Sequence, residues 1–286
     1  MTIQQHHVAV TAAAARAVEL LAEVSQLPKQ RIKVAMQRGA VWLTRAGHTA
    51  RLRRASRSLR IGDELHLYYN DSILREEPVL PRLVADERCY SVWDKPSGLR
   101  SQGSKWGDHC TVVRCAERNL EPQRTAYTVH RLDRAATGLI VVAHAKSAAA
   151  NLSQQFRERR VRKRYRAVVH GDFSVHATAL RLVMPLDGKS ADSECQLVTV
   201  LGDHECSVVD VTIKTGRKHQ IRRHLAGAGF PIVGDRLYGS AASTDVDLQL
   251  RAIELGFSHP IDERSVVYRL ATNDGNSGNL GNTTES

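Results

Sequence analysis

The sequence predicts an α+β protein, a small N-terminal unit followed by a larger domain built around a sheet, and three observations predict it. The chain has 286 residues, room for two domains at about 100–200 residues each. Its opening third is basic and carries two helical patterns. Between residues 83 and 270, short apolar runs separated by turn signals alternate with only a few helical patterns, as in a mixed α+β domain around a large sheet.

Residues 1–11 show no periodicity and read as a flexible N-terminus. In residues 12–24, Val18, Leu21 and Val24 share one helical face. After a break at 25–27, Pro28 opens a second helix, where its missing N–H costs nothing, and Ile32, Ala35 and Met36 form its apolar side. Lys29 and Lys33 lie together on another face. Gly39 ends that helix, residues 41–43 read as a short strand, and Gly62-Asp63 turns the chain into the apolar run 65–69. Residues 70–82, with Asn70, Asp71, Pro78 and Pro81, read as a linker, and the Asn-, Gly-, Ser- and Thr-rich residues 271–286 as a disordered tail.

Composition narrows the function. Forty-one Lys and Arg against 30 Asp and Glu leave a net charge of +11, which points to a polyanionic partner. No stretch approaches the ~20 apolar residues of a membrane span, and the first residues lack a secretory signal. Cys89, Cys110, Cys115, Cys195 and Cys206 are scattered and never form C-x-x-C, so neither a disulfide framework nor a structural zinc site is indicated, and a cytoplasmic location is expected.

Between Lys29 and Arg60 stand ten Lys or Arg and no acid, a run suited to a phosphate backbone. Leu27-Pro28-Lys29-Gln30-Arg31-Ile32, Gly39-Ala40-Val41 and Arg60-Ile61-Gly62-Asp63 resemble the alpha-L motif, a small RNA-binding module, across residues 12–69. That resemblance implies RNA contacts from Lys29, Arg31, Lys33 and Arg38.

Three later segments carry candidate chemistry. In His130-Arg131-Leu132-Asp133-Arg134, a carboxylate sits between two arginines just before an apolar strand. Alone this reads as a surface ion pair of little energetic consequence; enclosed, with those guanidinium groups or another cation folded against it, Asp133 has the setting of a nucleophile. Residues 162–171 alternate as a strand, with Arg162, Arg164 and Arg166 on one face and Lys163, Tyr165, Ala167 and Val169 on the other. Tyr165, a core residue by default, is placed to lie against a nucleobase beside that basic surface. Thr215-Gly216-Arg217-Lys218-His219-Gln220-Ile221-Arg222 opens a short helix with a dense cationic start, suited to phosphate or to an acidic side chain. His219 and His224, five residues apart, stand about 140° apart on a helix, so a shared zinc is not expected.

In this order and separation the segments resemble the RluA-type family of pseudouridine synthases. Asp94-Lys95-Pro96-Ser97-Gly98-Leu99, Thr137-Gly138-Leu139, Pro231-Ile232-Val233-Gly234-Asp235 with Tyr238-Gly239, and Phe257-Ser258-His259-Pro260 extend the match. The resemblance implies a catalytic domain with a mixed, largely antiparallel sheet, and isomerisation of uridines in structured RNA to pseudouridine. By it Asp133 is the catalytic aspartate, Tyr165 the ring stacked on uracil, and Arg222 the partner of the aspartate. Arg131, Arg134, Lys163, Arg217, Lys218 and His219 are then RNA-side contacts. Ala136, Thr137 and Lys218 depart from the usual pattern and bear on substrate identity. Asp133 would attack the anomeric carbon, add to the base, or remove a sugar proton. No metal, redox group or cofactor is called for; the partner is RNA, ribosomal favoured over transfer, with the chain acting as a monomer without an obligate protein partner. A hydrolase, glycosidase or nuclease, would want either a second cooperating carboxylate, for which Asp94 and Asp235 are the candidates, or a metal; a non-catalytic RNA-binding protein leaves the Asp133 motif without a task.

Overall fold

Alternating apolar side chains build two sheets in this chain, and helices cover them. The computed structural model describes residues 2–12, 15–202, 205–239 and 246–271, which fall into two units: the chain up to Val79 together with Gln102–Arg118, and Leu80–Ser101 with the rest.

In the first unit β1 (Ile3–Ala9) is followed by α1 (Ala17–Ser25), α2 (Lys29–Gln37), β2 (Val41–Arg45), β3 (His48–Arg51), β4 (Glu64–Asn70) and α3 (Asp71–Arg75); α4 (Val112–Asn119) belongs to it except for its last residue. The sheet order is β1-β4-β2-β3, antiparallel throughout. Leu65 and Leu67 of β4, with Val41 of β2, meet Leu21 of α1 and Ile32 and Met36 of α2 in a core from which water is excluded.

Three boundaries differ from expectation. Residues 3–9 form an edge strand rather than a flexible end, because β4 offers a free edge and Val8 and Val10 reach the core. The expected linker contains α3, whose first turn is capped by the Asn70 carboxamide accepting from the Ile73 N–H at 3.2 Å, and it ends in the next strand. Gln102–Arg118 lies with the N-terminal unit, not within a continuous domain 83–270. Of the expected tail, residues from 272 onward lie outside the described residues.

The second unit contains β5 (Arg82–Asp86), β6 (Tyr90–Lys95), β7 (Tyr127–Thr128), β8 (Thr137–Ala143), α5 (Lys146–Arg157), β9 (Arg162–His170), β10 (Leu180–Leu182), β11 (Ser193–Leu201), β12 (Cys206–Ile213), α6 (Gln220–Gly227), β13 (Leu250–Ser258) and β14 (Ser265–Arg269). Among the described residues they form a ten-stranded sheet of order β10-β11-β12-β9-β13-β8-β6-β5, with β14 on β13 and β7 on β8. Only the β8–β13 contact is parallel, giving the mixed, largely antiparallel sheet expected. Along β9 burial alternates as the sequence predicts, with Lys163, Tyr165, Ala167 and Val169 inward.

The β8–β13 contact depends on Gly138, which pairs with Ala252 at φ +100°, where a Cβ would stand 2.2 Å from the Ala252 carbonyl oxygen. Gly138→Ala is expected to destabilise the protein by about 3 kcal/mol through strain and strand separation, read as a lowered urea midpoint; an unchanged midpoint would remove this constraint from the fold.

Candidate active site

The segment carrying Asp133 runs from β7 to β8 and is fastened at several points. At its start the His130 ring stacks on Phe156 of α5, centroids 4.3 Å apart, and its Nε2 accepts from the Val141 N–H at 3.0 Å. Desolvation, with Lys163 nearby, pushes this imidazole down to about 3, so it stays neutral at physiological pH. Next, the buried Ser101 hydroxyl donates to the Leu132 carbonyl at 2.7 Å and accepts from the Leu132 N–H at 2.9 Å. Beyond Asp133, the Arg134 carbonyl accepts from the Gly98 N–H at 2.9 Å and from Lys95 Nζ at 3.1 Å. Lys95 has no solvent exposure and also donates to the carbonyls of Pro96 and Leu99, both at 2.9 Å. Burial pushes its ammonium down to about 8, with Arg134 adding to the effect and Asp133 opposing it. Residues 95–101 thus cradle both sides of Asp133.

The loop between β12 and α6 brings the cations. The buried Gln220 side chain accepts from the Thr215 hydroxyl (2.7 Å) and the Arg217 N–H (3.0 Å) and donates to the Asp192 carbonyl and the Ser193 hydroxyl, both at 3.0 Å. His219, at φ +54°, then turns the chain into α6. In the first turn of that helix, Arg222 donates through Nε and Nη2 to Asp235, at 2.8 and 2.6 Å, and leaves Nη1 3.5 Å from Asp133 Oδ2. Burial works against both charges of the Arg222–Asp235 pair, yet their mutual hydrogen bonds and attraction win: the guanidinium is raised and the Asp235 carboxyl lowered from their ordinary values. Asp235 also accepts from the N–H groups of Leu237 and Tyr238, at 2.9 and 3.1 Å.

His219 closes the other side. Its Nε2 is 3.8 Å from Asp133 Oδ1, and its Nδ1 is 3.0 Å from the Tyr238 hydroxyl. Burial lowers its pKa, opposed by Asp133 and reinforced by Arg222 and Lys218. The Arg222 guanidinium lies 5.2 Å from the centre of the Tyr238 ring. Tyr165 lines the same cleft, and burial, then the Asp133 charge, raises its phenol above the ordinary value. The cleft is a narrow space of about 100 Å³ bounded by Asp133, Tyr165, His219, Arg222, Ile213 and Leu250.

Asp133, Tyr165 and Arg222 therefore share one cleft, with Arg131, Arg217 and His219 on its wall. The cations facing Asp133 come from α6 rather than from its own neighbours: Arg134 donates from Nε to the Gly98 carbonyl at 3.0 Å, and Arg131 is exposed. Arg217 donates from Nε to the Ser190 carbonyl at 3.0 Å, and Lys218 is exposed. Lys163 is buried beside His130, so its expected RNA contact gives way to an inward position. In the N-terminal unit Lys29 and Lys33 line one groove with Arg16 and Arg57, while Arg31 lies beside Tyr69. Arg38 is committed to its own unit, donating to the carbonyls of Leu74 and Glu76 and to Glu77. Ser101 escaped the sequence reading, since a lone serine carries no signal. Tyr238 and Lys95 lay in motifs of the family match without a role, and Asp235 was expected only as a candidate second carboxylate. Asp94 is paired with Arg251 at 2.8 Å, and both Asp235 oxygens are bound to Arg222, so neither candidate second carboxylate is free for acid–base work. His224 turns away from His219, to Ser193 and the Met184 carbonyl.

Because the folded state holds His130 below its unfolded value near 6.5, the unfolded chain takes up a proton first as pH falls. This contribution to stability is complete above about pH 6.5 and is lost progressively toward pH 3. His130→Asn, which keeps an acceptor for Val141, is expected to flatten the loss of urea resistance between pH 7 and pH 5; an unchanged slope would assign that loss to other groups.

A sequence profile described as RNA pseudouridylate synthase matches residues 89–227. The dual-specificity RNA pseudouridine synthase RluA of Salmonella typhimurium is 37% identical over 210 residues, covering 68% of this chain and 94% of that protein. The protein of the same description from Escherichia coli strain K12 is 36% identical over 209 residues, with the same coverage. An uncharacterized RNA pseudouridine synthase of Aquifex aeolicus is 28% identical over 249 residues, 77% of this chain and 79% of that one. Among solved structures, human RNA Pseudouridylate Synthase Domain Containing 1 shares the fold at a TM-score of 0.57 and 23% identity, over 69% of this chain and 86% of that one. With more than a third of positions identical across nearly the whole of a relative, and the cleft above built on the matched residues, the chain belongs to the RluA-type RNA pseudouridine synthases, which convert uridines in RNA to pseudouridine.

Proposed function

We propose that Asp133 is the catalytic aspartate of this isomerisation, that Tyr165 holds the uracil by its face, and that Arg222 positions Asp133. One observation carries the reading: a single guanidinium, clamped by Asp235, presents its remaining edge to Asp133. A uridine must leave its stack to reach the cleft, at a cost of a few kcal/mol, offset by contacts of the RNA backbone with basic surfaces. Asp133 then acts on the nucleoside while the loop cradle keeps the carboxylate in place. Tyr165 stays a protonated phenol at neutral pH, suited to stacking. When the Tyr238 hydroxyl donates to His219 Nδ1, the proton on Nε2 faces Asp133 Oδ1, so His219 and Arg222 address the two carboxylate oxygens separately. The freed uracil turns within the cleft and rejoins through carbon 5. No group donor enters the balance.

Lys29, Arg31 and Lys33 of the N-terminal unit, with Arg131, Arg134, Arg217 and Lys218 of the catalytic unit, would serve the RNA backbone. An N-terminal run of ten cations without an acid favours a large structured RNA, hence ribosomal RNA over transfer RNA; the dual specificity named for the Salmonella relative is compatible with more than one RNA substrate. The free thiols of all five cysteines suit a reducing, cytoplasmic setting. Among the described residues no helix is long and apolar enough to cross a membrane.

With RNA labelled with tritium at uracil carbon 5, the protein is expected to release label to water and leave the strand intact; strand breaks or free uracil would indicate a hydrolase instead. Asp133→Asn should lower release by several orders of magnitude and keep RNA affinity, and substantial residual turnover would remove Asp133 from its role. Tyr238→Phe should slow turnover with little change in KM, a split that loss of RNA binding would not produce. Reversing charge at Lys29 and Lys33 should make the salt dependence of RNA binding shallower by about two in log–log slope. Unchanged binding would discard that face of the N-terminal unit.

A further inference from the structure

The N-terminal sheet has a second face, and its chemistry is not that of a core. One side of β4 and β2, with Leu65, Leu67 and Val41, is sealed by α1 and α2. Across the other side the register aligns His7, His66, Trp42 and Arg51 on four successive strands, with Tyr68 beside them on β4. The turn at residues 104–107, closed by reciprocal bonds between Ser104 and Gly107, is seated on this face: Trp42 Nε1 donates to the Lys105 carbonyl at 3.1 Å and Arg51 Nη2 to the Ser104 carbonyl at 2.8 Å. That seating sets Trp106 edge-to-face with Tyr68 at 5.8 Å, and Tyr68 likewise with His7 at 5.8 Å. Lys105 Nζ lies 4.7 Å from the Tyr68 ring centre and 5.2 Å from that of Trp106, held by the Gln5 carboxamide at 3.1 Å. In a chain with only 5% aromatic residues, two of the three tryptophans stand here.

We propose that this face binds an unpaired stretch of the RNA substrate, its bases stacking on Tyr68 and Trp106 and Lys105 moving from the rings to a phosphate. Two features select this occupant. Rings presented on a sheet beside an exposed cation match the flat faces and flanking charge of single-stranded RNA. The exposed ammonium over the rings occupies the position of a stacked base, and a cation there complements an anionic strand rather than an apolar protein surface. The helix side, with Lys29 and Lys33, presents charge without rings and suits the phosphates of paired RNA. The proposal rests on the reading of the N-terminal unit as RNA-binding and adds a second surface to it.

The test compares a ten-nucleotide single strand, the same sequence as a duplex, and a stem-loop carrying the target uridine with and without a single-stranded flank. The double variant Tyr68→Leu, Trp106→Leu, checked for fold by circular dichroism, should bind the single strand at least tenfold more weakly. Its duplex binding and its tritium release from the flankless stem-loop should match the parent protein. Lys105→Gln should lower the single-strand salt slope by about one, whereas the ring variant leaves it unchanged. Single-strand binding indifferent to loss of the rings, or equal losses on duplex and single strand, would overturn the inference while tritium release still reported on the enzyme reading. If the double variant fails to fold, Trp106→Leu alone, on the exposed turn, carries the comparison, with a severalfold weakening expected and none refuting the proposal.

Discussion

The guanidinium of Arg222 joins two carboxylates of different kinds, and the candidate active-site cleft is organised around that difference. Asp235 is deeply buried and takes two parallel N–H bonds from Arg222 as well as two from the backbone of residues 237 and 238. Asp133 is partly open to the cleft and receives only the remaining nitrogen, at longer range. A guanidinium is rigid and planar, so fixing one edge on Asp235 fixes the direction of the other. The charge beside Asp133 is therefore fixed in direction by Asp235, and this single longer contact does not consume the carboxylate oxygens that the proposed role requires.

The same economy governs the backbone around Asp133. A loop that enters a cleft leaves buried N–H and carbonyl groups, each costly if unmatched. Here Ser101 satisfies both polar groups of Leu132 with one hydroxyl, and Lys95 gathers three carbonyls. On the other flank a neutral His130, stacked on Phe156, accepts the Val141 N–H. A shift of the carboxylate's neighbours on either side would leave these groups unpaired, which opposes displacement of the segment.

The N-terminal unit divides its chemistry between two faces. Its helices seal the apolar side of the sheet and turn Lys29 and Lys33 outward, while the other side gathers rings and a lone ammonium. Much of that second face is made by residues 104–107, which the chain contributes from far along its length.

Local pattern alone identified much of this protein. The period of two in residues 162–169 placed Tyr165 on the inner face of β9, the i, i+3, i+4 spacing of Ile32, Ala35 and Met36 gave α2 its buried side, and the motifs around Asp133 and Arg222 marked the cleft and the family. These were legible because periodicity and short motifs are properties of neighbouring residues. Which cation faces Asp133 was legible only through the family resemblance, which pointed to Arg222: Arg131 and Arg134 are its neighbours in sequence, yet Arg222 and His219 meet it, since side-chain direction across a loop depends on what the loop is tied to. The strand at residues 3–9 was hidden because its pairing supplies backbone hydrogen bonds rather than an apolar stripe, and the place of residues 102–118 because a chain may leave one folding unit and return to it. Sequence by itself determined the buried side of α2, the inner face of β9, the family and the candidate residues Asp133, Tyr165 and Arg222. Only tertiary structure decided which of them touch, because contacts between distant segments are chosen by the burial and pairing of polar groups in three dimensions, and no local spacing records that choice.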